Sequence, residues 1–263
     1  MRFRCSRSEP RTRQETSAGR SSRRWRRRIA RAAVLAASLL AALTVAAFSF
    51  ELALPGVSDA QSKVAAIVRA HHGALLRLPL SAKLAKAIVA VEDQHFYTNV
   101  FVNVLSGASR AAVASLERSG DPGGSTIAQQ LAKQLYPQPP GLGTTLQDLA
   151  LGVKLSFEYS KSEILDMYLN AIYYGNGYWG ASQAARGYFG VSPDRLDWAE
   201  AAMLAGLPQA PSAYNPLEHY TLAKQRQEHV LDQLVATDVL TRRRADAAYR
   251  ALLPLRRTSN PAR

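Results

Sequence analysis

Hydrophobic positions along the chain follow two different patterns. From Ala32 to Phe50 they run together, interrupted only by Ser38, Thr44 and Ser49, with no charge, glycine or proline. Nineteen residues at about 1.5 Å each nearly cross a hydrocarbon core of roughly 30 Å, so the run predicts one membrane-spanning helix over 32–50. A cleaved signal sequence has a shorter apolar stretch, about 7 to 15 residues, behind a shorter leader, which favours an uncleaved anchor. From Ser81 the apolar positions recur at helical spacing almost to the end, and no sustained alternation marks a sheet. Segment 51–80, with Pro55, Gly56 and Pro79, reads as a stalk leading to a mainly α domain over 81–263.

Helix starts can be placed by their caps. Thr126 with Gln129, Ser160 with Glu163 and Asp197 with Glu200 have the spacing at which a cap side chain and the third residue of the helix satisfy each other's backbone amides. The helix after Asp197 is expected to stop near Gly206 and Pro208.

Charge adds a topology to this picture. The chain carries 33 Lys and Arg against 20 Asp and Glu, a net +13; residues 1–31 hold twelve arginines and two glutamates, and so +10 of it. A basic tail joined directly to an apolar span stays on the cytoplasmic side, which puts everything after Glu51 outside. A nucleic-acid patch would not normally abut such a span, so no nucleic-acid partner is expected. The single cysteine, Cys5, excludes an internal disulfide framework, and His71, His72, His95, His219 and His229 lack metal-ligand spacing.

Two features could carry chemistry. Leu84, Ile88 and Glu92 lie four apart on one predicted helix, so the Glu92 carboxylate continues an apolar stripe. Such a setting disfavours the charged form and suits proton transfer, although an ordinary helix-end glutamate would look the same. In Gly123-Gly124-Ser125-Thr126-Ile127-Ala128-Gln129-Gln130-Leu131-Ala132-Lys133, paired glycines turn into a helix start. Its amides and the Ser125 and Thr126 hydroxyls could hold phosphate oxygens, with Gln130 and Lys133 three apart on the polar face. A plain capped core helix is the competing reading; the spacing of a nucleotide P-loop is absent.

In order, Glu92-Asp93-x-x-Phe96, the Gly124–Lys133 stretch, Tyr159-Ser160-Lys161-x-Glu163-Ile164-Leu165-x-x-Tyr168-Leu169-Asn170, Tyr174-Gly175-Asn176-Gly177, Ala184-Ala185-Arg186-x-Tyr188-Phe189-Gly190 and the run from Ala199 to Pro216 resemble glycosyltransferase family 51, over about residues 80–240. The resemblance implies a lysozyme-like, mainly α fold and a monofunctional peptidoglycan glycosyltransferase polymerising lipid II at the outer face of the bacterial cytoplasmic membrane. Its partners would be lipid II, the growing glycan strand, the membrane and other cell-wall synthesis proteins. It further implies Glu92 as general base, Asp148 as second carboxylate, and Ser125, Thr126, Gln130, Lys133, Asn170 and Arg186 as substrate contacts. Apolar residues between Tyr97 and Leu116 would dip into the bilayer.

The chain departs from the family pattern at Thr144-Thr145, where an Arg-Lys pair is usual, at Asp148 in place of Glu, and at Asn99, Phe101 and Asn103. Two missing cations lower the charge facing a pyrophosphate, which Mg²⁺ or another divalent cation could make up. A member that binds lipid II without polymerising it is therefore the second reading, and a lytic enzyme of the same fold the third.

Overall fold

The computed structural model describes residues 18–76, 82–97, 126–138 and 144–256. Two compact units divide between Ala53 and Leu54.

The first unit contains α1 (Ala18–Ala53), a 36-residue helix through the arginine cluster and the apolar run. Its large side chains are uncovered: Val34, Leu35, Leu39, Leu40, Leu43 and Val45 are all exposed. Among the described residues no helix is long and apolar enough to cross a membrane.

The second unit is built from α2 (Ala60–Ala70), α3 (Ala82–Glu92), α4 (Ile127–Leu135), α5 (Thr144–Glu158), α6 (Lys161–Ala171), α7 (Gly180–Phe189), a 3₁₀ turn (Pro193–Arg195), α8 (Trp198–Gly206), α9 (Tyr220–Ala236) and α10 (Arg242–Arg250). Among the described residues there is no strand, only an isolated antiparallel bridge between Tyr173 and Trp179. The mainly α architecture expected from the periodicity is therefore present.

At the centre lies α8, buried from Ala199 to Gly206. Its alanines let α3 and α9 close in on either side. On the other flank α4 packs against α5 and α6. All three expected capping boxes form, at Thr126/Gln129, Ser160/Glu163 and Asp197/Glu200, and α8 ends at Gly206. Each cap stabilises its helix by about 1 kcal/mol and fixes where it begins.

Segment 54–76 is more than a stalk. Leu54 and Val57 belong to the core, and so do Ala60, Val64 and Val68, which α2 presents as a helical stripe to α6. The Tyr159 hydroxyl donates to the Val57 carbonyl at 3.0 Å and that of Tyr136 to Asp59 Oδ1 at 2.5 Å. Pro79, at the far end of the expected stalk, lies outside the described residues.

Candidate active site

Glu92 is the last residue of α3, and the stripe that leads to it is as apolar inside the fold as its spacing suggested: Leu84 and Ile88 are buried. Its side chain is only 7% exposed. A carboxylate in such a position needs donors, and two elements distant in sequence bring them. Gln130 of α4 donates through Nε2 to Glu92 Oε2 at 2.6 Å. Arg226 of α9 places Nη2 3.7 Å from Oε1.

Both partners are themselves held. The Tyr168 hydroxyl, from α6, donates to Gln130 Oε1 at 2.9 Å. Arg226 donates through Nε to the Gly206 carbonyl at 3.3 Å and lies 5.9 Å from the centroid of the Tyr214 ring. Gly206 makes room for it, because a Cβ there would sit 2.7 Å from Arg226 Cγ. Burial lowers the Arg226 pKa, and the neighbouring Glu92 charge works against that. Burial, reinforced by the Glu92 charge, holds the Tyr168 and Tyr174 phenols well above their usual range, so both stay neutral.

A second constellation lies one turn further along α4. Lys133 is exposed and its charge reaches Asp148 of α5: burial pushes the Asp148 carboxyl up while the lysine charge pulls it down. The helices come this close because residue 152 has no side chain: a Cβ on Gly152 would lie 2.9 to 3.0 Å from atoms of Gln129.

Asp93 ties the two helices that carry the site, since its Oδ2 accepts from the Ile127 amide at 3.4 Å. Lys161 sits 4.9 Å from the centroid of the Phe96 ring, its pKa lowered by burial against the opposing Asp93 charge. A small open cleft lies on this side, among Asp93, Phe96, Thr126, Leu149 and Lys161.

The expected site residues thus divide into groups. Glu92 and Gln130 meet directly, and the Lys133 charge acts on Asp148. Thr126 is engaged as a cap, its hydroxyl accepting from the Gln129 amide at 3.2 Å. Asn170 is buried and clamps the chain after α2, exchanging hydrogen bonds with the Leu76 amide at 2.7 Å and carbonyl at 3.1 Å. Arg186 is exposed on α7 and makes no ion pair among the described residues. Ser125, Asn99, Phe101, Asn103 and the stretch from Thr98 to Leu116 lie outside the described residues. Spacing did not single out Arg226 or Tyr168. Arg226 stands in α9 beside the buried stripe Ala223, Gln227 and Val230, a cation among core positions.

For a divalent cation, the donor set near Lys133 offers one carboxylate, Asp148, whose buried Oδ1 has no hydrogen-bond partner among the described residues. No group of three or more His, Cys, Asp or Glu is placed to hold a metal among those residues. Mg²⁺ is commonly held by one or two carboxylates together with substrate phosphates, and Asp148 is the residue suited to that role.

A family model described as Transglycosylase matches residues 63–235. Penicillin-binding protein 2a of Streptococcus pneumoniae is 39% identical over 182 residues, which are 68% of this chain and 24% of that protein. A Cupriavidus necator protein bearing the transglycosylase name is 40% identical over 175 residues, 66% of this chain and 74% of that one. Penicillin-binding protein 1A of Neisseria gonorrhoeae is 40% identical over 167 residues, 63% of this chain and 21% of its own length. The chain therefore spans about a quarter or less of the length of the penicillin-binding relatives it matches. The crystal structure of Penicillin-Binding Protein 1A from Haemophilus influenzae aligns with 70% of this chain and 18% of its own at 23% identity and a TM-score of 0.43.

Proposed function

The chain belongs to the transglycosylase family, glycosyltransferase family 51, and from that premise we propose that it is a peptidoglycan glycosyltransferase polymerising lipid II into β-1,4 glycan on a lysozyme-like scaffold. The observation that carries the reading is the buried Glu92 carboxylate, held between an amide donor and a guanidinium at the end of an apolar stripe.

In the proposed reaction the 4-hydroxyl oxygen of the incoming disaccharide bonds to the anomeric carbon of the growing strand. The bond from that carbon to the lipid pyrophosphate breaks with inversion, and the electron pair leaves on the pyrophosphate. Glu92 takes the hydroxyl proton as the new bond forms. The exposed Lys133 offers its charge to the departing phosphates. Asp148, opposite Lys133, orients that lysine or holds a phosphate-bound cation. The proposal keeps the apolar run 32–50 as a single-pass anchor, with the second unit on the outer face of the cytoplasmic membrane, where lipid II and other cell-wall synthesis proteins would be met.

Fluorescent lipid II incubated with the detergent-solubilised full chain tests this. Long glycan is expected from the parent. Glu92→Gln is expected to lower the rate by about 10² to 10⁴ while retaining lipid II binding, because shape survives and the base does not. Bound but unreacted lipid with the parent protein would identify a binding-only member, and cleaved glycan a lytic one.

A further inference from the structure

Gln130 lies between Glu92 and Tyr168, and its amide can be turned end for end with almost no change in shape. The two orientations differ in charge logic. An ionised carboxylate only accepts, so Nε2 must face Glu92; Oε1 then faces Tyr168, which has to donate. In the reverse orientation Oε1 faces Glu92, which must carry a proton and donate it, while Nε2 donates to the phenol. A chain of three groups thus has two self-consistent states, one with Glu92 ionised and one with Glu92 protonated.

We infer that Tyr168 is a positioning residue for the base: its hydroxyl locks the Gln130 amide with the donor end on Glu92, keeping that carboxylate ready to accept a proton. The inference rests on Glu92 being the base of the proposed reaction. Three observations support it. Tyr168 is fully buried, and its hydroxyl makes no hydrogen bond among the described residues other than that to Gln130. Burial and the Glu92 charge hold the phenol neutral, so its proton is always present to donate. Gln130 spends both ends of its amide within the chain and acts through Glu92.

The ionisable groups around Glu92 come from several elements. Arg226 approaches from α9, with His229 beside it on the same helix. From α6 and the turn after it come Tyr168 and Tyr174, both neutral. Helix α8 brings its carboxylate, Glu200, to Lys83 at the opposite end of α3. Asp93, the next residue along, turns to the Ile127 amide. Arg226 favours the ionised state whichever way the amide points, so the orientation of Gln130 is the variable part.

The test follows the Glu92 carboxyl itself. Full chain carrying carbon-13 at the glutamate carboxyl carbons is titrated by NMR in detergent, the Glu92 signal being the one lost in Glu92→Gln. In Tyr168→Phe nothing selects the amide orientation, so the Glu92 midpoint is expected roughly one pH unit higher, the scale of one hydrogen bond to a charged group. The acid limb of the glycan-synthesis profile should move by the same amount, with KM for lipid II nearly unchanged. Gln130→Met, at a half-exposed position, should reproduce the shift, and adding Tyr168→Phe to it should add nothing. A midpoint that stays in place in Gln130→Met, or in a Tyr168→Phe protein with its thermal unfolding intact, overturns the inference. Because titration needs no substrate, a parent that makes no glycan yet shows the shift would defeat the proposed function and leave the relay standing.

Discussion

Asp166 on α6 occupies a place that suits its neutral form. Its Oδ1 is buried without a hydrogen-bond partner among the described residues, and burial with the nearby Glu163 charge pushes its pKa up to about 6. The folded state therefore holds a proton that the unfolded chain has lost in the window from about 4 to about 6. Stability contributed by this group is full below that window and falls as pH rises through it. Asp166→Asn should flatten the dependence and raise stability at pH 7 by about 1 kcal/mol, a value already reduced for the screening of a partly exposed group. Denaturant midpoints of both proteins between pH 4 and 7 measure it. At this scale Glu92 was legible, because its environment is written in the four-residue spacing of Leu84 and Ile88 on its own helix. Arg226 was not, because what makes it notable is a carboxylate on another helix, far away in sequence, reached through a gap left by Gly206.

Among elements, the junction of α4 and α5 determines whether the second constellation exists. Gly152 meets Gln129 across that junction, and Gln129 is also the capping partner of Thr126, so one contact touches both the helix pair and the start of α4. Gly152→Ala would gain a little helix propensity and lose far more to the clash, because two of the nearest Gln129 atoms are backbone and cannot rotate away. Overpacking of this kind costs typically about 1 to 3 kcal/mol. The expected result is a lower unfolding temperature with Asp148 carried away from Lys133. A fall in glycan synthesis larger than the loss of folded protein would report that displacement. The three capping boxes were readable in advance because each involves four consecutive residues and no tertiary partner. The role of α2 was not, since Pro55 and Gly56 suggest a linker, while the evidence that it packs is distributed over Tyr136, Tyr159 and the surface of α6.

At the scale of the whole molecule, the open question concerns α1 and the side of a bilayer on which the second unit works. A helix on a protein surface shows one apolar stripe, and one that is apolar all round belongs in a core or in lipid. Val34 and Leu35, and again Leu39 and Leu40, are adjacent pairs about 100° apart, and all four are exposed, so their apolar surface extends beyond a single narrow stripe. In the proposed orientation the apolar run 32–50 lies in the bilayer and the arginine-rich start of α1 stays in the cytoplasmic headgroup region. Lipid-linked substrate adds a reason for such an anchor: an enzyme confined to the same surface meets its substrate at a much higher effective concentration. The proposed orientation is tested by alkaline phosphatase fused after Arg263, which should be active if, as proposed, that residue is on the outer face. Replacing Arg23, Arg24, Arg26, Arg27 and Arg28 with Gln halves the tail's net charge of +10, and should turn a fraction of the fusions inward and lower phosphatase activity in proportion. Full activity from the substituted protein would mean that the arginines do not set the topology, and an inactive fusion on the parent chain would place the second unit on the cytoplasmic side.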